Sequence, residues 1–485
     1  MGPFRNLDNF FTLVLTNPLP FYVIGRILVA LIGACTVLPV YIITKNLYSK
    51  RAALMAALFM ACTYLHVSDS HYCTVDIPMT FLLMLSYVFI LKLTEKENLK
   101  NYIICGLLVG LAMATKYNAG VLIFSMATAT FLSLSRKNSV VQNLHIIRAL
   151  IVAYMVTTLT FFIFCSYIIF DFPGSWKAWQ VLVTLGKNMN VGIWHRFSVD
   201  LFYGIGLPLE IFGISGFVYL IRRRRKKDIV FILFPIIYLI GIRKVGQPFA
   251  RYSMPLVPFF VIAAALFLEV IYDKIKLNQF YKKILLSCLI VVMLLMPLAK
   301  SFYADYLFSK PDIRNLAKEW IYKNIPYGSG IAVDNPQYAP FLYATKAQLQ
   351  NKINFIKDND KGTEAKRKRL QLLLNLKTYP IENYRVYYFG TTPAEFSMHT
   401  PVVTYSKEDI FSNGIEYIIT NDFSEQENKT FYENIRKDII LIHEFNALKD
   451  KKLDYSKYPY SYLPIDDTLF NLRYNGINIK IYKVK

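Results

Sequence analysis

About ten apolar runs fill the first 300 residues of this 485-residue chain, near residues 21–44, 52–66, 77–93, 102–115, 118–134, 148–170, 203–221, 229–242, 253–272 and 283–299. A helix of about 20 apolar residues crosses the hydrocarbon core of a bilayer. No water reaches that core to complete backbone hydrogen bonding, so a spanning segment must satisfy its own amides as a helix. The runs predict a mainly α polytopic membrane protein. Composition agrees: 54% of residues are hydrophobic and the mean hydropathy is +0.33, more apolar than a soluble domain of this size.

The connections between runs alternate in charge. Lys45, Lys50 and Arg51 follow the first run, Lys92, Lys96 and Lys100 the third, and Arg136, Lys137 and Arg148 the fifth. Arg222 to Lys227 follow the seventh, and Lys274, Lys276, Lys282 and Lys283 the ninth. The positive-inside rule assigns this set to the cytoplasm. The alternate set then faces outward: residues 1–20, the stretch Tyr64–Pro78, the turn "TKYNAG", the loop 171–202, the turn 241–252 and everything after about residue 300. The turn 241–252 departs from the pattern, with Arg243, Lys244 and Arg251. The formal charge of +22 is thus a topology signal and does not call for nucleic acid as a partner. The six cysteines show no paired spacing, so neither a disulfide framework nor a zinc site is suggested. The opening "MGPFRNLDNFF" has no basic segment leading into an apolar core, which argues against a cleavable signal peptide.

Two other regions stand out. The loop 171–202 carries Trp176, Trp179 and Trp194, which suits either short helices on the membrane surface or a plain aromatic belt. From residue 301 the long apolar runs stop and charged residues and tyrosines rise. "PDIRNLAKEWIYKNIP" reads as an amphipathic helix ending at Pro326, and "EAKRKRLQLLLNL" as another. "GIAVD", "YRVYYFG", "IEYIITND" and "INIKIYKV" read as strands. The chain therefore divides into a polytopic domain, 1–300, and an extracytoplasmic soluble α/β domain, 301–485. The second part carries no phosphate-binding glycine loop and no nucleophile motif. Its one glycosylation sequon, Asn428-Lys429-Thr430, is a match expected by chance in a chain this long.

Ionisable groups within or beside membrane spans are costly, and they mark functional sites by default. Here they gather on the outward side: His66, Asp69, His71 and Asp76 in one stretch, Lys116 and Tyr117 in a turn, Arg251 and Tyr252 before the ninth run, and Arg26 in the first. Each also has an ordinary reading. Asp76, before Ile77-Pro78, suits a helix N-cap. His66 suits the interface, and Lys116, Arg251 and Arg26 can extend to headgroups. His66 and His71 are five apart, which does not place them on one helical face, so the sequence does not support a divalent metal. Together, the cations can hold a lipid phosphate, and a carboxylate beside them can orient or deprotonate a hydroxyl. That set suits a sugar leaving a lipid phosphate.

The residues from Phe21 through "YLHVSDSHYCTVDIPMTFLLML" resemble the first block of GT-C membrane glycosyltransferases, the family-39-like enzymes related to protein mannosyltransferases and aminoarabinose transferases. "GLLVGLAMATKYNAGVL" is similar to the next block, "RYSMPLVPFF" to a later one, and "NLAKEWIYKNIPYGSGIAVD" to the start of the following soluble domain. The resemblance implies transfer of a sugar from a polyprenyl-phosphate donor, with inversion, to an extracytoplasmic lipid, glycan or protein, with membrane lipids as the surroundings. It places His71 and Asp76 on the His–Asp block, with Asp76 shaping the site. Lys116, Tyr117, Arg251 and Tyr252 fall on blocks assigned to the donor phosphate, and Arg26 joins them by charge. Family members usually begin with a helix and an acidic loop, often Asp-Glu, that supplies the catalytic base. Here the only acidic residue before Asp69 is Asp8, a weak stand-in. That departure predicts a fragment with a displaced start, or a degenerate relative that binds lipid-linked sugar without turning it over. A transporter or flippase is the alternative from another class, but no repeated halves are visible.

Overall fold

The computed structural model describes residues 10, 13–14, 19–95, 98–134, 139–187, 192–243, 249–359, 370–375, 380, 382–389, 402–449, 464 and 466–485. It divides into two compact units, residues 22–302 and residues 303–485 together with 1–21.

All ten apolar runs fold as helix. The first six form α1 (Leu19–Cys35), α2 (Val37–Leu47), α3 (Lys50–Cys62), α4 (Tyr64–Ser70), α5 (Asp76–Leu93), α6 (Leu99–Thr115), α7 (Leu122–Ser133) and α8 (Val140–Phe164). The sixth run ends in α9 (Tyr167–Phe170), and beyond it lie α10 (Phe172–Lys187), α11 (Leu207–Arg223), α12 (Lys226–Ile242), α13 (Val257–Lys274) and α14 (Gln279–Phe308). Among the described residues, five helices are individually long and apolar enough to cross a membrane, and up to seven if each bent helix pair counts as one span. The bent pairs are α3 with α4, at 54°, and 193–205 with α11, at 119°. The tryptophan-bearing loop is helical in α10, where Phe172, Trp176 and Trp179 are exposed and stack in series.

Lipid offers little hydrophobic drive for helix association, so close packing and interhelical hydrogen bonds hold the unit together. Backbones approach where side chains are absent. A Cβ on Gly106 of α6 would lie 2.4 Å from Ala153 O of α8, and one on Gly216 of α11 would lie 2.0 Å from Ala263 O of α13. Tyr87 is fully buried, shares a 2.9 Å hydrogen bond with Ser125 Oγ and donates to Val230 O at 3.0 Å, tying α5 to α7 and α12.

The second unit is built on a sheet ordered β2-β3-β1-β5-β7-β6, with β4 on β3. Its strands are β1 (Gly330–Val333), β2 (Tyr343–Ala344), β3 (Asn383–Phe389), β4 (Val402–Val403), β5 (Tyr417–Asn421), β6 (Ile439–Phe445) and β7 (Ile479–Val484). β1 pairs in parallel with β3 and β5, and β7 runs antiparallel between β5 and β6. The four strands expected from the sequence are β1, β3, β5 and β7. The first expected helix is α15 (Ile313–Asn324), capped by Asp312, whose side chain accepts from Arg314 N at 2.9 Å. Of the second, 370–374 is helical, and 364–369 and 376 lie outside the described residues. Ile313, Ala317 and Ile321 of α15 bury one face of the sheet against Ile331, Val333 and Ile419. Ala332 and Ile418 face the other layer, with Phe431 and Ile435.

Candidate active site

α6 ends at Thr115, and Lys116 leaves it in an extended conformation (φ −158°, ψ 126°). Its ammonium lies 2.5 Å from Asp76 Oδ1, with Lys116 22% and Asp76 4% exposed. Asp76 is the first residue of α5, and the preceding cap position, Val75, makes no side-chain cap bond. The carboxylate therefore serves an ion pair 40 residues away in sequence, where sequence alone suggested a local cap. Asp69 is buried, interacts electrostatically with Asp76, Arg251 and Lys116, and keeps Oδ2 without a hydrogen-bond partner. Four of the ionisable groups marked in the sequence, Asp69, Asp76, Lys116 and Arg251, thus interact with one another.

Arg251 and Tyr252 lie on a 3-10 segment, Ala250–Leu256. The Arg251 guanidinium is 4.4 Å from the Phe249 ring centre. Lys116 Nζ is 5.0 Å from the Tyr252 ring centre. Tyr252 O accepts from Tyr238 OH at 2.8 Å, and Tyr238 OH accepts from Asn118 Nδ2 at 2.8 Å.

The other expected site residues make contacts of their own. Tyr117 is 54% exposed and shares a 2.5 Å hydrogen bond with Tyr167 OH. Arg26 is exposed on α1. His71 Nδ1 is 2.9 Å from Val67 O, a contact within its own turn. His66 is buried, so it is not a surface histidine of the interface. Asp8 lies outside the described residues. Among the described residues, no three His, Cys, Asp or Glu side chains come together as metal ligands.

One part of the cluster was not read from the sequence. Arg196 and Asp200 are fully buried in a π-helical segment, Arg196–Leu201, and pair at 2.8 Å. Arg196 also donates to Phe249 O at 3.2 Å and lies 5.8 Å from the Tyr252 ring centre. Asp200 accepts from Ser253 Oγ at 2.7 Å and faces His195 Nε2 at 3.6 Å. This pair fixes the segment that carries Arg251 and Tyr252. A signal was present: opposite charges at i, i+4 beside an apolar run.

Residues 21–170 match the dolichyl-phosphate-mannose-protein mannosyltransferase family. No curated protein sequence matches the chain. Among solved structures, the chain is similar to ArnT from Cupriavidus metallidurans bound to undecaprenyl phosphate, at 13% identity and TM-score 0.46, over 90% of this chain and 85% of that one. It is also similar to the Archaeoglobus fulgidus oligosaccharyltransferase AglB in complex with an inhibitory peptide and a dolichol-phosphate, at 14% identity and TM-score 0.43. That likeness covers 84% of this chain and 59% of the archaeal one, so the chain spans less than two thirds of that relative. The matched segment contains Asp69, Asp76 and Lys116, and over that segment this membrane protein resembles the mannosyltransferase family.

Proposed function

We propose that this chain transfers a sugar from a polyprenyl-phosphate donor to an acceptor hydroxyl or amide, with inversion at the anomeric carbon. The observation that carries the reading is the convergence of Lys116, Arg251, Asp69 and Asp76 within a unit whose first half matches the mannosyltransferase family. In such a transfer the acceptor atom attacks the anomeric carbon, and the bond from that carbon to the phosphate oxygen breaks. The electron pair stays on the phosphate, and the acceptor's proton passes to a base. Lys116 and Arg251 stabilise the charge that grows on the departing phosphate. Asp76 holds Lys116 in place. Asp69, with its open buried oxygen, is the carboxylate we assign to the acceptor's proton. On this reading the unit 303–485 is extracytoplasmic and meets the acceptor, in line with the charge alternation of the connections.

The test is transfer from a panel of radiolabelled polyprenyl-phosphate sugars by the purified full chain. Lys116→Ala and Arg251→Ala should each lower turnover by about 10²–10³, the size of losing one preorganised electrostatic group. Asp69→Asn should lower it by about 10²–10⁴, the size of losing a general base. Wild-type rates in the two cation variants would remove the site assignment. Movement of labelled donor across proteoliposomes without bond cleavage would replace transfer by transport.

A further inference from the structure

At the other end of α3 from the candidate active site, two basic turns are stapled together. The turn between α11 and α12 reads Arg222-Arg223-Arg224-Arg225-Lys226-Lys227. Arg223 is committed to structure: Nε donates to Asp228 Oδ2 at 2.8 Å, and Nη2 donates to Asp228 Oδ1 at 2.5 Å and to Leu47 O at 3.3 Å. Its guanidinium also lies 5.5 Å from the ring centres of Tyr48 and Tyr219. Lys227 donates to Asn46 O at 3.4 Å and pairs with Glu95. These contacts hold the α11–α12 turn against the α2–α3 turn, which carries exposed Lys45 and Lys50.

Arg222, Arg224, Arg225 and Lys226 are exposed, and among the described residues they form no ion pair. Among the described residues, nearby acidic groups are already engaged: Asp228 by Arg223, Glu95 by Lys227, and Glu269 and Asp273 by Arg51. Two features resist a purely helical explanation. The dipole at the C-terminus of α11 favours cations in its last turn, but the N-terminus of α12 disfavours them where Arg225 and Lys226 stand. Arg224 is left-handed (φ 55°, ψ 32°) at the C-cap of α11, where sterics favour glycine. The fold thus tolerates two local penalties to keep cations at this corner.

We propose that this corner is a binding site for the phosphate of an anionic membrane lipid. Any phosphate ester shares the recognition chemistry, in which guanidinium forks bind the oxygens in bidentate fashion. The source is the bilayer, because α2, α3, α11 and α12 end here and lipid headgroups stand at the ends of membrane helices.

The test uses the full chain in nanodiscs of phosphatidylcholine with a minor fraction of phosphatidylglycerol, and native mass spectrometry counts each lipid retained. The variant Arg222→Gln/Arg224→Gln/Lys226→Gln should lose phosphatidylglycerol preference by about fivefold per charge removed. Lys282→Gln/Lys283→Gln, near the N-terminus of α14, should leave it unchanged. Arg224→Gly guards against misfolding: it installs the residue that the conformation prefers, so it should unfold no earlier than wild type while still binding less phosphatidylglycerol. An unchanged preference in the triple variant, or an equal loss in the Lys282/Lys283 control, overturns the site. So does stabilisation of wild type by inorganic phosphate in pure phosphatidylcholine that matches the effect of phosphatidylglycerol, since the site would then take free phosphate.

Discussion

Lys116 Nζ stands 2.5 Å from Asp76 Oδ1 and 5.0 Å from the centre of the Tyr252 ring. One ammonium thereby joins the first residue of α5, the end of α6 and the 3-10 segment before α13. In the proposed reaction this contact fixes where the cation meets the donor phosphate.

Lys116→Ala leaves the Asp76 carboxylate buried without its partner, and stability should fall by about 3 kcal/mol. The double variant Asp76→Asn/Lys116→Met should regain most of that loss, because neutralising both members of a buried pair is far less costly than removing one. Its transfer activity should stay lost. Thermal unfolding in detergent and the transfer assay separate the two effects. Recovery of both would reduce the pair to a structural staple.

The Arg196–Asp200 pair is a positioning device for the segment carrying Arg251 and Tyr252. Asp200→Ala strands a buried guanidinium and should cost about 3–5 kcal/mol. Arg196→Met/Asp200→Leu should fold closer to wild type yet turn over more slowly, with kcat falling more than KM rises. Equal activity of the double variant and wild type would show that Phe249 and Tyr252 hold their places without the pair.

Close helix contacts should be intolerant of a single methyl. At Gly216 a Cβ would meet Ala263 O at 2.0 Å, and backbone cannot swing aside as a flexible side chain can. Gly216→Ala should cost about 1–3 kcal/mol through overpacking. Gly241→Ala, where nothing lies within 4 Å of the added atom, serves as the control in the same unfolding assay.

In the second unit, Lys480 on β7 pairs at 2.7 Å with both Asp422 and Glu425 and is 18% exposed. Burial alone would depress its pKa, but the hydrogen bonds and charges of Asp422 and Glu425 outweigh it and raise the pKa above the ordinary 10.5. The folded state therefore holds this proton more tightly than the unfolded chain. Its stabilising contribution is complete below pH 10.5 and is lost as pH rises through the folded value. Lys480→Met should destabilise this unit by about 2 kcal/mol at neutral pH, and the deficit relative to wild type should shrink at alkaline pH. A deficit that does not change with pH would assign the loss to packing.

The sequence by itself determined the helices of the membrane unit, because apolar length is a local property and lipid leaves the backbone no other way to satisfy its amides. It likewise marked β1, β3, β5 and β7. It did not reveal β6, whose residues are largely half-buried or exposed and carry no strong alternation; among the described residues its one sheet neighbour is β7. Of the candidate site, Lys116, Arg251 and Asp76 were legible, since charges beside apolar runs stand out one at a time. Their pairing was not. Only the tertiary structure turned Asp76 from a possible cap into the partner of Lys116, sent Tyr117 to Tyr167, and joined Arg196 to Phe249 and Asp200 to Ser253. Such contacts link residues 40 to 53 positions apart, so they depend on how helices pack, and no local period records that.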